Sequence, residues 1–268
     1  MRLALAQLDQ TAADLSGNLD AAAEAVSEAA ARGADLVALP ELFTVGYFAF
    51  ESYARVAEGL GGPTFARLSA MAADNGVGLV AGSHVEDLEA SAAAGVDVPA
   101  EEGLANTCVV FDRDGDRRAV YRKHHLFGYE SAETRLLTPG ETLSTVEFEG
   151  FSVAATTCYD LRFPELYRRL ADRGATLVVV PSAWPYPRVE HWRTLPRARA
   201  IENLSYVAAV NGAADFEDAT LLGRSAVYDP WGTTIAGESD DPTLVVADLD
   251  PDRVASVREE FPALRDRR

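Results

Sequence analysis

Three side chains of complementary chemistry fall where short apolar runs end. Glu41 follows Val37-Ala38-Leu39-Pro40, Lys123 follows Ala119-Val120-Tyr121-Arg122, and Cys158 follows Val153-Ala154-Ala155-Thr156-Thr157. In α/β sheets the ends of strands are where ligands collect. A carboxylate just beyond an apolar strand is poorly solvated, so its pKa rises toward the range useful for a general base. A thiol near an ammonium ionises more readily, and the thiolate is the nucleophilic form. The same ammonium, with the backbone N–H that follows the cysteine, would hold the oxyanion of a tetrahedral intermediate. Each residue alone has a plainer reading: a glutamate after a strand is often a surface residue or helix cap, and a single buried cysteine is usually inert.

Composition singles out the lysine. Of 24 basic residues only Lys123 is a lysine; the other 23 are arginines. Whatever pressure replaced lysine spared this position, by chance or because the site needs what arginine lacks: a compact ammonium, three rotatable donors and a pKa that burial can move. The two cysteines, Cys108 and Cys158, lie fifty residues apart and form no CxxC or zinc pattern. Cys108 sits inside Thr107-Cys108-Val109-Val110-Phe111 and reads as a small core residue.

The elements that must position these groups alternate along the chain. Strands are expected at residues 2–7, 35–39, 78–82, 107–112 and 118–121, the last two joined by an Asp-Gly turn at 113–116. Asn18 is expected to cap an alanine-rich helix running to about Arg32, with Gly33 as its stop, and residues 63–75 form a second helix before Gly76. In the second half, strands at 145–148 and 151–156 pair around Gly150, and 176–181 is a continuous apolar strand buried on both faces. Strands follow at 205–211, 224–228, 233–236 and 244–248, with helices at 164–173, 192–203 and 251–260. Such alternation implies sheets with helices on their outer faces. No linker, low-complexity break or fixed repeat interrupts it, so residues 1–268 read as one domain.

Bulk properties narrow the partners. The chain has 268 residues, 48% apolar and 25% charged, ordinary for a globular protein. No segment approaches the roughly 20 apolar residues needed to cross a bilayer, and the N-terminus turns polar too early for a signal peptide. A cytoplasmic location is the simple expectation. With 42 acidic residues and a net charge of −18, nucleic acid would be repelled over most of the surface.

The residues around the three reactive positions carry a family likeness. Pro40-Glu41-Leu42-Phe43, Tyr121-Arg122-Lys123-His124-His125-Leu126-Phe127 and Cys158-Tyr159-Asp160-Leu161-Arg162-Phe163-Pro164-Glu165 resemble the three signature segments of the nitrilase superfamily of carbon–nitrogen hydrolases. The likeness runs on through Arg197-Ala198-Arg199-Ala200-Ile201-Glu202-Asn203 and Asp229-Pro230-Trp231-Gly232, so it covers essentially the whole chain. It implies an α/β fold, a four-layer α-β-β-α sandwich, commonly dimerised so that sandwiches stack. It also implies a Glu41-Lys123-Cys158 triad: Glu41 as base, Cys158 attacking an amide carbonyl, and Lys123 with the Tyr159 N–H holding the oxyanion. A thioester forms, ammonia leaves and water completes the hydrolysis, with no metal or organic cofactor. The family places a second glutamate near the lysine. Counting back from Thr138-Pro139-Gly140 favours Glu133, with Glu130 the alternative.

Other residues are read around that implication. His125 is expected as a structural partner near Glu41. His124 and His125 are adjacent and, on a strand, would point to opposite sides, which argues against joint metal binding. Trp184 and Tyr186 either line the pocket or simply pack. Arg162 either pairs with Glu165 or another acid, or grips a substrate carboxylate bidentately. The nearest resemblance within the family is to ω-amidases and deaminated-glutathione amidases, whose substrates carry a carboxylate. N-carbamoyl hydrolysis and nitrile hydrolysis would use the same three groups, and a catalytically silent ligand-binding member is the reading from another class.

The acidic residues are spread along the chain, in clusters such as 215–218, 238–241 and 248–252. Such a surface fits a high-salt cytoplasm, where ions screen its self-repulsion. On that reading the protein loses stability on dialysis to low salt; a melting temperature that does not move with salt refutes it.

Overall fold

The computed structural model describes residues 1–237 and 240–267, so Glu238 of the acidic cluster at 238–241 lies outside the described residues. In chain order the strands are β1 (Arg2–Gln7), β2 (Leu36–Ala38), β3 (Gly78–Val80), β4 (His84–Asp87), β5 (Leu104–Phe111), β6 (Arg117–Arg122), β7 (Val146–Phe148) and β8 (Phe151–Ala155). They continue with β9 (Leu177–Ser182), β10 (Tyr206–Asn211), β11 (Asp215–Phe216), β12 (Ala219–Thr220), β13 (Ala226–Tyr228), β14 (Thr234–Gly237) and β15 (Thr243–Asp248). The helices are α1 (Leu15–Ala31), α2 (Tyr53–Val56), α3 (Pro63–Asn75), α4 (Leu88–Ala93), α5 (Glu133–Leu136), α6 (Pro164–Asp172), α7 (Val189–Asn203) and α8 (Asp252–Glu260).

Two sheets carry the site. A seven-stranded sheet runs β15-β1-β2-β3-β5-β4, with β6 also paired to β5; a six-stranded sheet runs β14-β13-β10-β9-β8-β7. β1, β2 and β3 are parallel to one another, as are β8, β9 and β10, while antiparallel strands complete both edges. The period-two alternation of strand side chains separates the layers. Leu3 and Leu5, Leu36 and Ala38, Cys108 and Val110 enter the core shared with the second sheet. Their neighbours Ala4 and Ala6, Val37 and Leu39, Val109 and Phe111 pack instead with α1 and α3 residues such as Val26 and Leu68. On the far side, Leu166, Tyr167 and Leu170 of α6 and Trp192 and Ala200 of α7 pack with the second sheet. The result is the expected α-β-β-α sandwich.

Most expected elements are present within a few residues, including the β5–β6 hairpin over Gly115 and the β7–β8 pair around Gly150. The start of the first helix is a correction. Its cap is Asp14, whose carboxylate accepts the Gly17 N–H, and α1 begins at Leu15. Asn18 lies inside the helix, buried, where its amide accepts from Thr11 N and donates to the carbonyls of Thr11 and Thr44. A buried side-chain amide so placed staples the loop after β1 to the loop after β2, which carries Glu41, a use of asparagine that local capping rules do not anticipate. α7 likewise starts at Val189 rather than at Trp192.

Candidate active site

The ends of β2, β6 and β8 bring the three reactive residues together. The centre is Lys123, which with Glu41 and Glu133 is almost wholly removed from solvent. Its ammonium donates to Glu41 Oε1 at 2.8 Å and to Glu133 Oε1 at 2.8 Å. These are its two hydrogen-bond partners among the described residues, and an ammonium has three N–H groups. Glu133, at the start of α5, also accepts from the Tyr47 hydroxyl at 2.9 Å and from the Phe127 N–H at 2.7 Å. Glu133 is therefore the glutamate that reaches the lysine, whereas Glu130 lines the mouth of the pocket. Gly140 permits close packing behind Lys123: its N–H donates to the Lys123 carbonyl at 2.9 Å, and a Cβ there would overlap the carbonyl oxygen of Arg122.

Glu41 is held at both oxygens. Oε1 accepts from Lys123 and from the Asn106 side-chain amide at 2.9 Å; Oε2 accepts from the Ala183 N–H at 3.0 Å. Burial raises the Glu41 pKa, the Lys123 ammonium opposes that rise, and the Glu133 charge reinforces it. For Lys123, burial acts against the charge, but Glu133 and Glu41 outweigh it and hold the ammonium protonated well above the usual lysine range.

Cys158 opens a short 3-10 turn, Cys158–Arg162, directly after β8. Its φ of 45° is a left-handed conformation that non-glycine residues avoid, a strain of order 1–3 kcal/mol held by its surroundings. Asp160, fully buried, supplies that support. Its carboxylate accepts from the Thr157 N–H at 3.0 Å, the Tyr121 hydroxyl at 2.5 Å and the His125 N–H at 3.0 Å, and pairs with His125 Nδ1 at 2.7 Å. His125 thus braces the turn that carries Cys158 and does not meet Glu41. Its ring stacks on Phe163 at 3.7 Å, while that of His124 stacks on Tyr121, so the two are not arranged as a metal pair.

The thiol also departs from expectation. Burial pushes the Cys158 pKa well up and the nearby Glu41 carboxylate adds to the rise; Lys123 opposes but does not reverse it. The ammonium still favours the thiolate, but burial and the Glu41 charge together outweigh it. These effects favour the neutral thiol, with the Glu41 carboxylate beside it.

Above the thiol lies a pocket of about 250 Å³. Tyr47, Phe127, Tyr159 and Trp184 form apolar walls. Trp184 both lines this pocket and packs on Trp192, with ring centroids 5.6 Å apart. Arg162 lies over the rings of Trp184 and Tyr159, at 5.0 and 5.6 Å, and touches His191 Nδ1 at 3.2 Å; it forms no ion pair with Glu165 among the described residues. Arg188, over Phe127 at 5.6 Å, is a second pocket cation without an acidic partner among the described residues. Sequence reading missed Arg188, Asn106 and Tyr47. Arg188 and Tyr47 carried no local signal, but Asn106 did, as a polar residue entering an apolar strand.

A sequence model for carbon–nitrogen hydrolases matches residues 2–259. The chain belongs to the carbon–nitrogen hydrolase family. It is 38% identical over 239 residues to a 2-oxoglutaramate amidase of Paenarthrobacter nicotinovorans, covering 88% of this chain and 79% of that one. It is 35% identical over 279 residues to an omega-amidase of Mus musculus, covering 100% and 95%. Among solved structures it resembles Saccharomyces cerevisiae Nit3, a member of branch 10 of the nitrilase superfamily, with a TM-score of 0.88 at 30% identity over 100% of this chain and 96% of that one. It also resembles an amidase from Nesterenkonia whose active-site cysteine has added to acrylamide, with a TM-score of 0.80 at 30% identity over 99% of each chain.

If the resting sulfur is a thiol, alkylation of Cys158 by iodoacetamide, followed by intact mass, climbs only at more alkaline pH than for free cysteine. A rate already on its plateau at neutral pH would show a resting thiolate. Cys108, buried and pushed up by that burial, stays unlabelled in the folded protein.

Proposed function

We propose that the protein is an amidase of the ω-amidase kind, a single catalytic unit hydrolysing a small carboxylate-bearing amide to its acid and ammonia. The observation that carries this reading is the joining of Glu41, Lys123 and Cys158 at the floor of a pocket whose rim holds Arg162 and Arg188. The relatives named for 2-oxoglutaramate and omega-amide hydrolysis support the substrate class.

In the proposed mechanism Glu41 takes the proton of Cys158 as the sulfur attacks the amide carbonyl. The oxyanion is met by the free N–H of the Lys123 ammonium and by the Tyr159 N–H. Collapse of the tetrahedral intermediate breaks the C–N bond, and Glu41 returns its proton to the departing nitrogen, leaving a thioester and ammonia. Water then attacks the thioester carbonyl as Glu41 takes its proton, and collapse releases the acid and restores the thiol. Glu133 keeps Lys123 charged and fixed. Tyr159 and Trp184 confine the acyl chain, and the arginines take the substrate carboxylate by charge-assisted hydrogen bonds.

We further place the protein in the cytoplasm as a homodimer. Large apolar side chains left exposed on α7 and near it, Ile201, Trp231 and Phe261, support a second copy as the partner, and sedimentation at working concentrations tests it.

Ammonia release screened across amides, carbamoyl compounds and nitriles tests the reaction. Activity is expected on amides bearing a carboxylate and should fall at least about a thousandfold in Cys158→Ala; inactivity on every amide defeats the proposal. Arg188→Ala and Arg162→Ala should each raise KM for the carboxylate-bearing amide by about 10- to 100-fold, from the usual strength of a hydrogen bond to a charged group. A neutral amide of equal length should be unaffected; equal losses on both substrates would count against carboxylate recognition.

A further inference from the structure

Asn106 stands where the fold calls for an apolar residue. Along β5, Asn106, Cys108 and Val110 share one face. Cys108 and Val110 enter the core between the sheets, and Asn106 is itself fully buried at the site end of that row. A buried polar side chain in such a row needs a reason. Its Nδ2 donates to Glu41 Oε1 at 2.9 Å, the same oxygen that accepts from Lys123. Its backbone carbonyl accepts the Lys123 N–H at 2.9 Å. One residue therefore grips Glu41 through its side chain and the start of the lysine segment through its main chain.

The other end of the amide gains nothing. Asn106 Oδ1 is buried without a hydrogen-bond partner. Turning the amide over would set that oxygen against a carboxylate oxygen, so a flip offers no relief. An apolar side chain of similar size would remove the orphaned acceptor and extend the core row. The asparagine costs stability at one atom and serves the carboxylate at another, a pattern expected where function opposes packing.

We infer that Asn106 is a positioning residue, holding the Glu41 carboxylate in the orientation that receives the Cys158 proton. The groups facing that carboxylate are Lys123 from the end of β6, Glu133 from α5, Cys158 from the nucleophile turn and the Ala183 N–H beyond β9. Tyr47, from the loop after β2, faces Lys123 and Glu133. Of these, Lys123 and Ala183 hold Glu41 by a hydrogen bond to the ionised form, as Asn106 does, and Glu133 opposes ionisation. With Asn106 removed, Lys123 and Ala183 remain, so the carboxylate stays near its place but loses one donor and becomes harder to ionise. Sign follows directly: activity on the acid side requires ionised Glu41, so the acid limb moves to higher pH.

Asn106→Leu tests this, with the pH profile of kcat/KM as readout and the active fraction fixed by stoichiometric alkylation of Cys158. The acid limb should rise by roughly one pH unit, from the usual worth of a hydrogen bond to a charged group. The value of kcat per labelled thiol should fall about tenfold or more, and the melting temperature should hold or rise. If Leu disturbs folding, the smaller, β-branched Asn106→Val reads the same limb. An unmoved limb, with kcat/KM per active site within about twofold of the parent, overturns the inference, because a merely structural loss lowers the active fraction without shifting the profile. The inference rests on Glu41 as base, which Glu41→Gln tests separately. An active Glu41→Gln enzyme removes both; an inactive one beside an unmoved Asn106→Leu limb removes only the positioning role.

Discussion

One buried ammonium held between two buried carboxylates is the constraint on which the rest of the site depends. Each of these ions costs several kcal/mol to take out of water, and only their mutual geometry repays it. Removing Lys123 would leave Glu41 and Glu133 facing one another in the core, and breaking a buried pair of this kind typically costs about 3–5 kcal/mol. The need for lysine follows from shape. Two of its three N–H groups are spent on the carboxylates, which leaves one directed elsewhere. A guanidinium would present a rigid planar fork suited to gripping one carboxylate bidentately, not a point charge shared among three partners. In a chain that otherwise uses arginine throughout, the single lysine marks this demand.

The second requirement is to keep the Cys158 turn fixed while its backbone is strained. Asp160 meets it by accepting four hydrogen bonds, from Thr157 beside the cysteine and from Tyr121 and His125 on either side of the lysine. The carboxylate thereby ties the end of β8 in one sheet to the end of β6 in the other, and the spacing between Cys158 and Lys123 becomes a property of the sandwich rather than of a loop. Arg122, next to Lys123, is anchored on the opposite side by its pair with buried Glu86. Successive residues of one strand end are thus fixed in opposite directions, as strand alternation dictates.

Much of this was legible in the sequence because it is carried by periodicity and position. Alternating apolar residues gave the strands, and the three reactive residues stood out by lying just past their ends. What was not legible depends on residues distant in sequence. The Asn106–Glu41 bond spans 65 positions and the Ala183–Glu41 bond 142. His125 was expected near Glu41, but which acid it meets is decided by the packing of two sheets. How far Cys158 is held from ionising depends on distant residues for the same reason. The nearby lysine does favour the thiolate, but the sequence does not show the burial and the Glu41 charge that together outweigh it. Asn18 shows the limit at smaller scale, since a good capping residue was used as a buried staple while Asp14 took the cap.

A resting thiol has a consequence for how charge moves in the proposed reaction. With Lys123 positive, Glu41 and Glu133 negative and Cys158 neutral, the buried centre carries one net negative charge before attack. When the proton passes from sulfur to Glu41 and sulfur bonds to the carbonyl carbon, the negative charge leaves Glu41 and appears on the oxyanion. The total is unchanged, so no new charge is created in a medium that solvates charge poorly. The charge only moves within reach of the same ammonium. A substrate carboxylate, by contrast, would bring a second negative charge that this centre cannot absorb. It must be met elsewhere, and Arg162 and Arg188 are cations in the same pocket without an acidic partner among the described residues. Separating the two charge problems, one at the pocket floor and one at its rim, is what would let a buried anionic centre act on the proposed anionic amide.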